Sequence, residues 1–246
     1  MESFWSILKK PFFILAPMED VTDAAFRALV AEQEKKPDVF FTEFTSADGL
    51  ALAPEKGRAA LLKKLEFGPN ERPIVAQFFT SNPEYMEKAA RLAAELGFDG
   101  VDINMGCPED KIEKGQCGAA LIKNPTLARE LIRAAKRGCE TKTRTRRVLV
   151  PDGGRTSVIP VSVKTRIGYA KDELETWLPE LLAEKPAAIT LHARTKKEMS
   201  AVPAHWDAVA RAVALRDKIS PETLIIGNGD VKTLEEGSVR VKETGC

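Results

Sequence analysis

The segment Asn104-Met-Gly-Cys-Pro108 is the sharpest chemical feature of the chain. Gly106 permits a tight turn and Pro108 fixes the next backbone step, so Cys107 is held on a short, rigid loop. A thiol presented in this way is a nucleophile when ionised and an acid when it keeps its proton. No histidine lies near Cys107 in the chain to act as an activating base, and His192 could reach it only through the fold, so proton donation is the preferred reading. An arbitrary cysteine is more often a small buried hydrophobe, and Cys117 and Cys139 are read that way. Lys164 closes the apolar run Val161-Ser-Val-Lys164. Such a lysine either snorkels to solvent or faces a negative ligand atom; a flavin ring wants a cation there, because reduction places negative charge beside N1 and the C2 carbonyl. Gln77 offers a paired donor and acceptor to the other edge of such a ring. Asn228-Gly229-Asp230 is a turn that could bind phosphate through its backbone N–H groups.

These residues fall at the ends of short apolar runs: Phe13–Ala16, Val39–Thr42, Ile74–Phe78, Gly100–Asn104, Ile159–Lys164, Ala187–His192 and Leu224–Gly227. The runs are continuous rather than alternating, as in parallel strands buried on both faces. Helix-period segments lie between them. Asn82-Pro83 predicts an N-cap with proline at the first position, followed by an inward stripe of Met86, Ala89, Ala90, Ala93 and Leu96 and a stop at Gly97. Asn124-Pro125 opens a second helix with Leu127, Leu131, Ile132 and Ala135 inward and Gly138 at its stop. A third has Trp206, Val209, Ala210 and Val213 inward, and Val231 to Thr244 is helix-like. About seven β/α units predict an α/β fold, a TIM (β/α)8-type barrel that is incomplete, spanning residues 1–246 as one domain. A doubly wound sheet is the rival, but no Gly-x-Gly-x-x-Gly follows the first strand. The strand ends of such a barrel gather Pro17-Met18, Glu43, Gln77, Asn104, Cys107, Lys164, Arg166, His192, Arg194 and the 228–230 turn around one mouth.

The composition is ordinary for a globular protein: 246 residues, 43% hydrophobic and 30% charged, with 37 basic and 36 acidic residues and a net charge of +1. That balance excludes nucleic-acid binding through bulk positive charge, though not a local basic patch. The longest apolar stretch, Pro11 to Met18, is too short to span a bilayer, and the charge order before it is wrong for a secretory signal. Four cysteines without a Cys-x-x-Cys pair and two histidines predict no metal site. A cytoplasmic protein with reduced thiols is expected. The segment 139–157 predicts a basic hairpin insertion around Pro151-Asp-Gly-Gly154. From Arg133 to Arg155 it carries eight basic residues against two acidic ones. That is either a solvated loop or a flap that contacts phosphates.

Taken together, these motifs resemble the tRNA-dihydrouridine synthases, flavin enzymes that reduce uridine in tRNA. The resemblance rests on Leu15-Ala-Pro-Met-Glu-Asp-Val-Thr-Asp-Ala-Ala-Phe-Arg27, on Asp102-Ile-Asn-Met-Gly-Cys-Pro108 with Gly115 and Gly118-Ala-Ala-Leu121, on Val163-Lys-Thr-Arg-Ile-Gly168, on Leu191-His-Ala-Arg-Thr195 and on Ile226-Gly-Asn-Gly-Asp230. It runs from about residue 11 to the end. It implies FMN as cofactor, held by Ala16, Pro17, Met18, Gln77, Lys164, His192, Asn228, Gly229 and Asp230, with NADPH (or NADH) as reductant. It implies a uridine flipped out of tRNA, since a stacked base cannot reach the ring. The family mechanism sends hydride from flavin N5 to C6 of uracil and a proton from Cys107 to C5. Asn104 and Arg166 are implied to hold the base; Arg194 is left open between base and cofactor phosphate.

The chain departs from the family pattern in three places. Met199-Ser-Ala-Val-Pro203 stands where an aromatic residue and a glycine usually precede the Asp-Trp pair, and the 139–157 segment is longer than usual. The third departure is that residues 1–246 do not include the family's eighth strand, with its phosphate-binding Gly-Arg pair, or its C-terminal helical tRNA-binding domain. The expectation is therefore weak FMN binding and poor solubility unless a second copy covers the open edge. Two other readings are a non-catalytic tRNA-binding barrel fragment and a flavin oxidoreductase acting on a free pyrimidine; the Asn-x-Gly-Cys-Pro loop argues against the latter. No membrane or metal partner is expected, and the sequence leaves the oligomeric state open.

Overall fold

The structure, a computed structural model, describes residues 3–140 and 158–246. The chain folds as two compact units: Met1–Ile103 with Ala134–Val161, and Asn104–Arg133 with Ser162–Cys246. The basic hairpin expected over 139–157 lies outside the described residues from 141 onward.

The first unit contains β1 (Ile14–Leu15), β2 (Val39–Phe41), β3 (Thr45–Ser46), β4 (Ile74–Phe79) and most of β5 (Gly100–Met105). All their pairs are parallel, in the order β1-β2-β4-β5, with β3 alongside β4. The register sets Ile14 against Val39, Phe40 against Ile74 and Gln77 against Asp102. β2 is buried throughout and β4 over Ile74–Phe78, which is why both read as unbroken apolar runs. The helix Pro83–Leu96 forms as its sequence predicts. Asn82 Oδ1 accepts from the backbone N–H of Glu84 at 2.9 Å, Met86, Ala89, Ala90 and Ala93 are buried, and Gly97 ends the helix in the left-handed region. Leu96, expected inward, is exposed. The helix Pro125–Cys139 closes on this one at Gly138, where a Cβ would lie 2.3 Å from the Glu87 carbonyl. Only glycine permits that approach, so Gly138 serves packing and the helix runs one residue past it.

The second unit holds the end of β5, then β6 (Val161–Arg166), β7 (Ala188–His192) and β8 (Leu224–Asn228). β6, β7 and β8 are parallel neighbours, with Arg166 opposite His192 and His192 opposite Asn228. Helices Leu174–Leu182, Trp206–Ile219 and Leu234–Thr244 follow β6, β7 and β8 in turn. Alternation gives each strand two faces. Thr165 turns toward the helices, where Trp177 Nε1 donates to its Oγ1 at 3.0 Å. Lys164 and Arg166 therefore share the opposite face.

The expected class stands: α/β, parallel β/α units, an incomplete (β/α)8 type with seven strands in sequence order and β3 beside them, among the described residues. β3 escaped notice because two residues make no hydrophobic run. The run Ile159–Lys164 is displaced. Proline has no N–H to give a ladder, so the strand starts after Pro160 and continues to Arg166. The last helix starts at Leu234 rather than Val231, because Thr233 Oγ1 caps Glu236 N at 3.1 Å. Trp206 and Val209 are buried as expected, with Ala208 and Ala212 in place of Ala210 and Val213.

Candidate active site

The Cys107 loop is built from the backbone outward. Asn104, the fifth residue of β5, is buried, and its Oδ1 accepts from Gly106 N at 3.1 Å and Cys107 N at 2.9 Å. This local turn is one that asparagine makes readily. Gly106 packs on β6, where a Cβ would sit 3.2 Å from the Thr165 backbone. The Cys107 carbonyl accepts from Ala119 N at 2.9 Å. Gly118, at φ +60°, leaves room for that carbonyl; a Cβ there would come within 2.6 Å of it. The thiol of Cys107 is half-buried. Cys117 and Cys139 are buried, and burial pushes the Cys139 thiol up to about 12, so it stays protonated at neutral pH.

Arg166 closes the loop from β6. Its Nε donates to the Gly106 carbonyl at 2.8 Å, and its Nη1 donates to the carbonyls of Thr195 at 3.1 Å and Met199 at 3.2 Å. Only 6% of the residue is exposed. Burial lowers its pKa, against which the charge of Cys107 acts to raise it. Asn104 and Arg166, both expected at the base, thus each spend hydrogen bonds on the loop that carries the thiol.

A second cluster lies across β6, β7 and β8. Lys164 Nζ donates to Asn228 Oδ1 at 3.1 Å. Arg194 is buried; its Nε donates to the Val202 carbonyl at 2.6 Å, its Nη1 lies 3.1 Å from His192 Nε2, and its Nη2 meets both oxygens of Asp230 at 2.7 and 2.6 Å. A guanidinium only donates, so His192 Nε2 accepts and the ring proton resides on Nδ1. Burial, with Lys164, Arg166 and Arg194 nearby, holds His192 down at about 3, so it is neutral at physiological pH. The Arg194 hydrogen bond holds Asp230 below the usual carboxylate range. Gly229 has φ +123°, and a Cβ there would fall 2.9 Å from Ala204 Cβ and 3.3 Å from the His192 ring. Lys164, Arg166 and Arg194 outnumber Asp230 and Glu198 in this neighbourhood. Such a field favours an anion or a ring that becomes anionic. The residues therefore fit a flavin nucleotide: an ammonium on the strand face, a neutral imidazole N–H and a glycine-opened turn.

In the first unit, Gln77 is fully buried and donates from Nε2 to Asp102 Oδ2 at 2.7 Å. Asp102 was not picked out as a site residue; its place opposite Gln77 in the register is visible only in the paired strands. Ala16 and Pro17 are half-buried and Met18 is exposed. Met18 N donates to Thr22 Oγ1 at 3.0 Å, its carbonyl accepts from Val21 N and Thr22 N, and Asp20 N donates to Glu43 Oε1 at 2.7 Å, so the 18–22 turn is closed locally and tied to Glu43. Arg27, the last residue of that motif, is structural. It is fully buried, with Nε 2.7 Å from Glu71 Oε2 and Nη1 2.8 Å from the Thr22 carbonyl. Glu19, Asp20 and Glu43 bring carboxylate oxygens within 4.8 Å of one another. The Lys64 ammonium pairs with Glu19 and lies 3.8 Å from Glu43, giving this group a cation of its own.

The dihydrouridine synthase (Dus) family model matches residues 14–246. The chain is 41% identical over 245 residues to the probable tRNA-dihydrouridine synthase 2 of Bacillus subtilis (strain 168), covering 99% of this chain and 69% of that protein. It is 42% identical over 237 residues to the probable tRNA-dihydrouridine synthase of Staphylococcus aureus (strain COL), covering 96% and 66%. It is 41% identical over 237 residues to the probable tRNA-dihydrouridine synthase of Staphylococcus epidermidis (strain ATCC 12228 / FDA PCI 1200), covering 96% and 66%. The chain thus spans about two thirds of the length of these relatives. No helix among the described residues is long and apolar enough to cross a membrane.

Proposed function

This chain belongs to the dihydrouridine synthase family, and we propose that it reduces a uridine of tRNA to 5,6-dihydrouridine with FMN as cofactor and NADPH (or NADH) as reductant. The observation that carries this reading lies within the second unit: the Cys107 loop braced by Arg166, and on the neighbouring strands the ammonium of Lys164 and the neutral imidazole of His192 in a field of three cations. When bound and reduced, FMN supplies hydride from N5 to C6 of the uracil ring.

The protein's own residues do the rest. Lys164 stabilises negative charge on the cofactor ring, and Asn228 aligns its ammonium. His192 offers Nδ1–H without adding a charge. The 228–230 turn would hold the ribityl phosphate through backbone that glycine opens, and Arg194 offsets the Asp230 carboxylate there. The family resemblance adds Ala16, Pro17, Met18 and Gln77 as cofactor contacts. Cys107 gives its proton to C5 of the base and is left as a thiolate. Asn104 holds the thiol's loop as well as facing the base. A cytoplasmic setting follows from tRNA and a nicotinamide cofactor as reactants.

The test is to mix the purified chain with FMN, NADPH and tRNA that lacks dihydrouridine. With FMN in excess the flavin absorbance should change on adding the protein, and the tRNA should gain the mass of two hydrogens. A flavin-bound protein that oxidises NADPH and leaves tRNA unchanged would reject the substrate. A colourless protein that binds tRNA would reject the redox reading in favour of a binding fragment.

A further inference from the structure

Arg166 is a buried cation that makes no ion pair within 4.0 Å among the described residues, unlike Arg27 and Arg194. Among the described residues its hydrogen bonds go to three backbone carbonyls on two separate segments. One belongs to Gly106, the residue next to Cys107; the others, Thr195 and Met199, lie beyond β7. Carbonyl dipoles solvate a guanidinium but do not cancel its charge. The charged groups that act on it are Cys107, Arg194 and Glu198, with Glu109 and Asp110 following Cys107 in the chain. Glu198 is already engaged by Thr195 N at 2.7 Å, Thr195 Oγ1 at 3.0 Å and His205 Nε2 at 2.9 Å, and Arg194 by Asp230. Of the charged groups that act on Arg166, Cys107 has the largest influence, and the Arg166 clamp on the Gly106 carbonyl fixes the residue next to that thiol.

We infer that Arg166 is a positioning residue that sets the acidity of Cys107: it fixes the loop through the Gly106 carbonyl and supplies the counter-charge for the thiolate that remains after proton transfer. The inference rests on the proposed role of Cys107 as the acid. In that step the S–H bond breaks, a C–H bond forms at C5 of the base, and the electron pair stays on sulfur beside the guanidinium. A cation beside a thiol lowers its pKa, and an acid with a pKa near the working pH transfers its proton best. It also accounts for the three-carbonyl clamp, which a residue reserved for the base would not need.

The experiment is the pH profile of iodoacetamide alkylation at Cys107, read by peptide mass spectrometry on the whole chain. Cys117 and Cys139 are buried and serve as slow internal references. In the unsubstituted protein the rate should inflect at least about one pH unit below the value of about 8.5 of an ordinary thiol. Arg166→Gln should move the inflection back to that value or above. Arg166→Lys keeps the charge and loses the fork, so it should keep a low inflection while tRNA turnover falls at least about tenfold. An ordinary inflection in the unsubstituted protein, or one that Arg166→Gln leaves unmoved, overturns the inference. If Arg166→Gln shows no cooperative melting, the unsubstituted and Arg166→Lys proteins decide the matter, because an ordinary inflection in either overturns it. Should Cys107→Ala retain full turnover on tRNA, the acid role fails while the alkylation profile still reports whether Arg166 tunes the thiol.

Discussion

Arg27 in the first unit and Arg166 in the second are both buried cations, but they are balanced in different ways. Arg27 meets a buried carboxylate, Glu71, which also accepts from Gly68 N at 2.6 Å, so its charge is matched within the fold. Arg166 meets three backbone carbonyls, and the charge of Cys107 acts on it without a carboxylate partner. A buried cation matched by a carboxylate is spent on structure. One matched by neutral dipoles keeps a field that can act on a reacting group. Both residues sit in the sequence motifs that resemble the family, so motif membership alone does not separate the two roles.

The comparison is broken first at Arg27. Arg27→Ala leaves Glu71 as an unpaired buried carboxylate and should cost about 3–5 kcal/mol, read as a lower urea midpoint. Replacing both partners, with Arg27→Met and Glu71→Leu, should recover most of that loss. A single variant as stable as the parent would remove Arg27 from the structural side. Gly229→Ala is the next largest effect. It forces a side chain into a left-handed position against Ala204 and His192, and should cost about 1–3 kcal/mol and weaken FMN binding in an equilibrium titration. Unchanged FMN affinity would take the 228–230 turn out of the proposed phosphate site.

A further effect is in pH dependence. The folded protein holds His192 near 3, below its ordinary 6.5, so the unfolded chain binds a proton that the folded chain refuses. This contribution to stability is complete above about pH 6.5 and is lost as pH falls toward 3, at up to about 1.4 kcal/mol per pH unit. His192→Gln should flatten the acid limb of a urea-midpoint profile between pH 6.5 and 4. An equally steep limb would mean that His192 is not the group refusing the proton.

Much of this was legible from residue types. The runs around Val39, Ile74, Gly100 and Ala187 announced buried parallel strands, and Asn82-Pro83 with Gly97 marked a helix end to end. The second-unit candidates Cys107, Lys164, His192, Arg194 and Asn228–Asp230 do gather on neighbouring strands and loops. What stayed hidden depends on pairing over long sequence separations. Asp102 becomes the partner of Gln77 only when β4 and β5 align, 25 residues apart. The hydrogen bond from Arg166 to the Gly106 carbonyl, 60 residues away, is likewise visible only in the fold. The edge of β6 was misread because an apolar run does not show that Pro160 cannot donate to a ladder.

The central claim is that Cys107 supplies the proton, and flavin reoxidation tests it most directly. FMN-loaded protein is reduced with one equivalent of NADPH under argon and mixed with tRNA lacking dihydrouridine, for the parent and for Cys107→Ala. The parent should reoxidise as the tRNA gains two hydrogens. The variant should bind and reduce the flavin normally yet reoxidise at least about a hundredfold more slowly, the usual contribution of a positioned acid. Equal reoxidation rates in the two proteins would contradict the account.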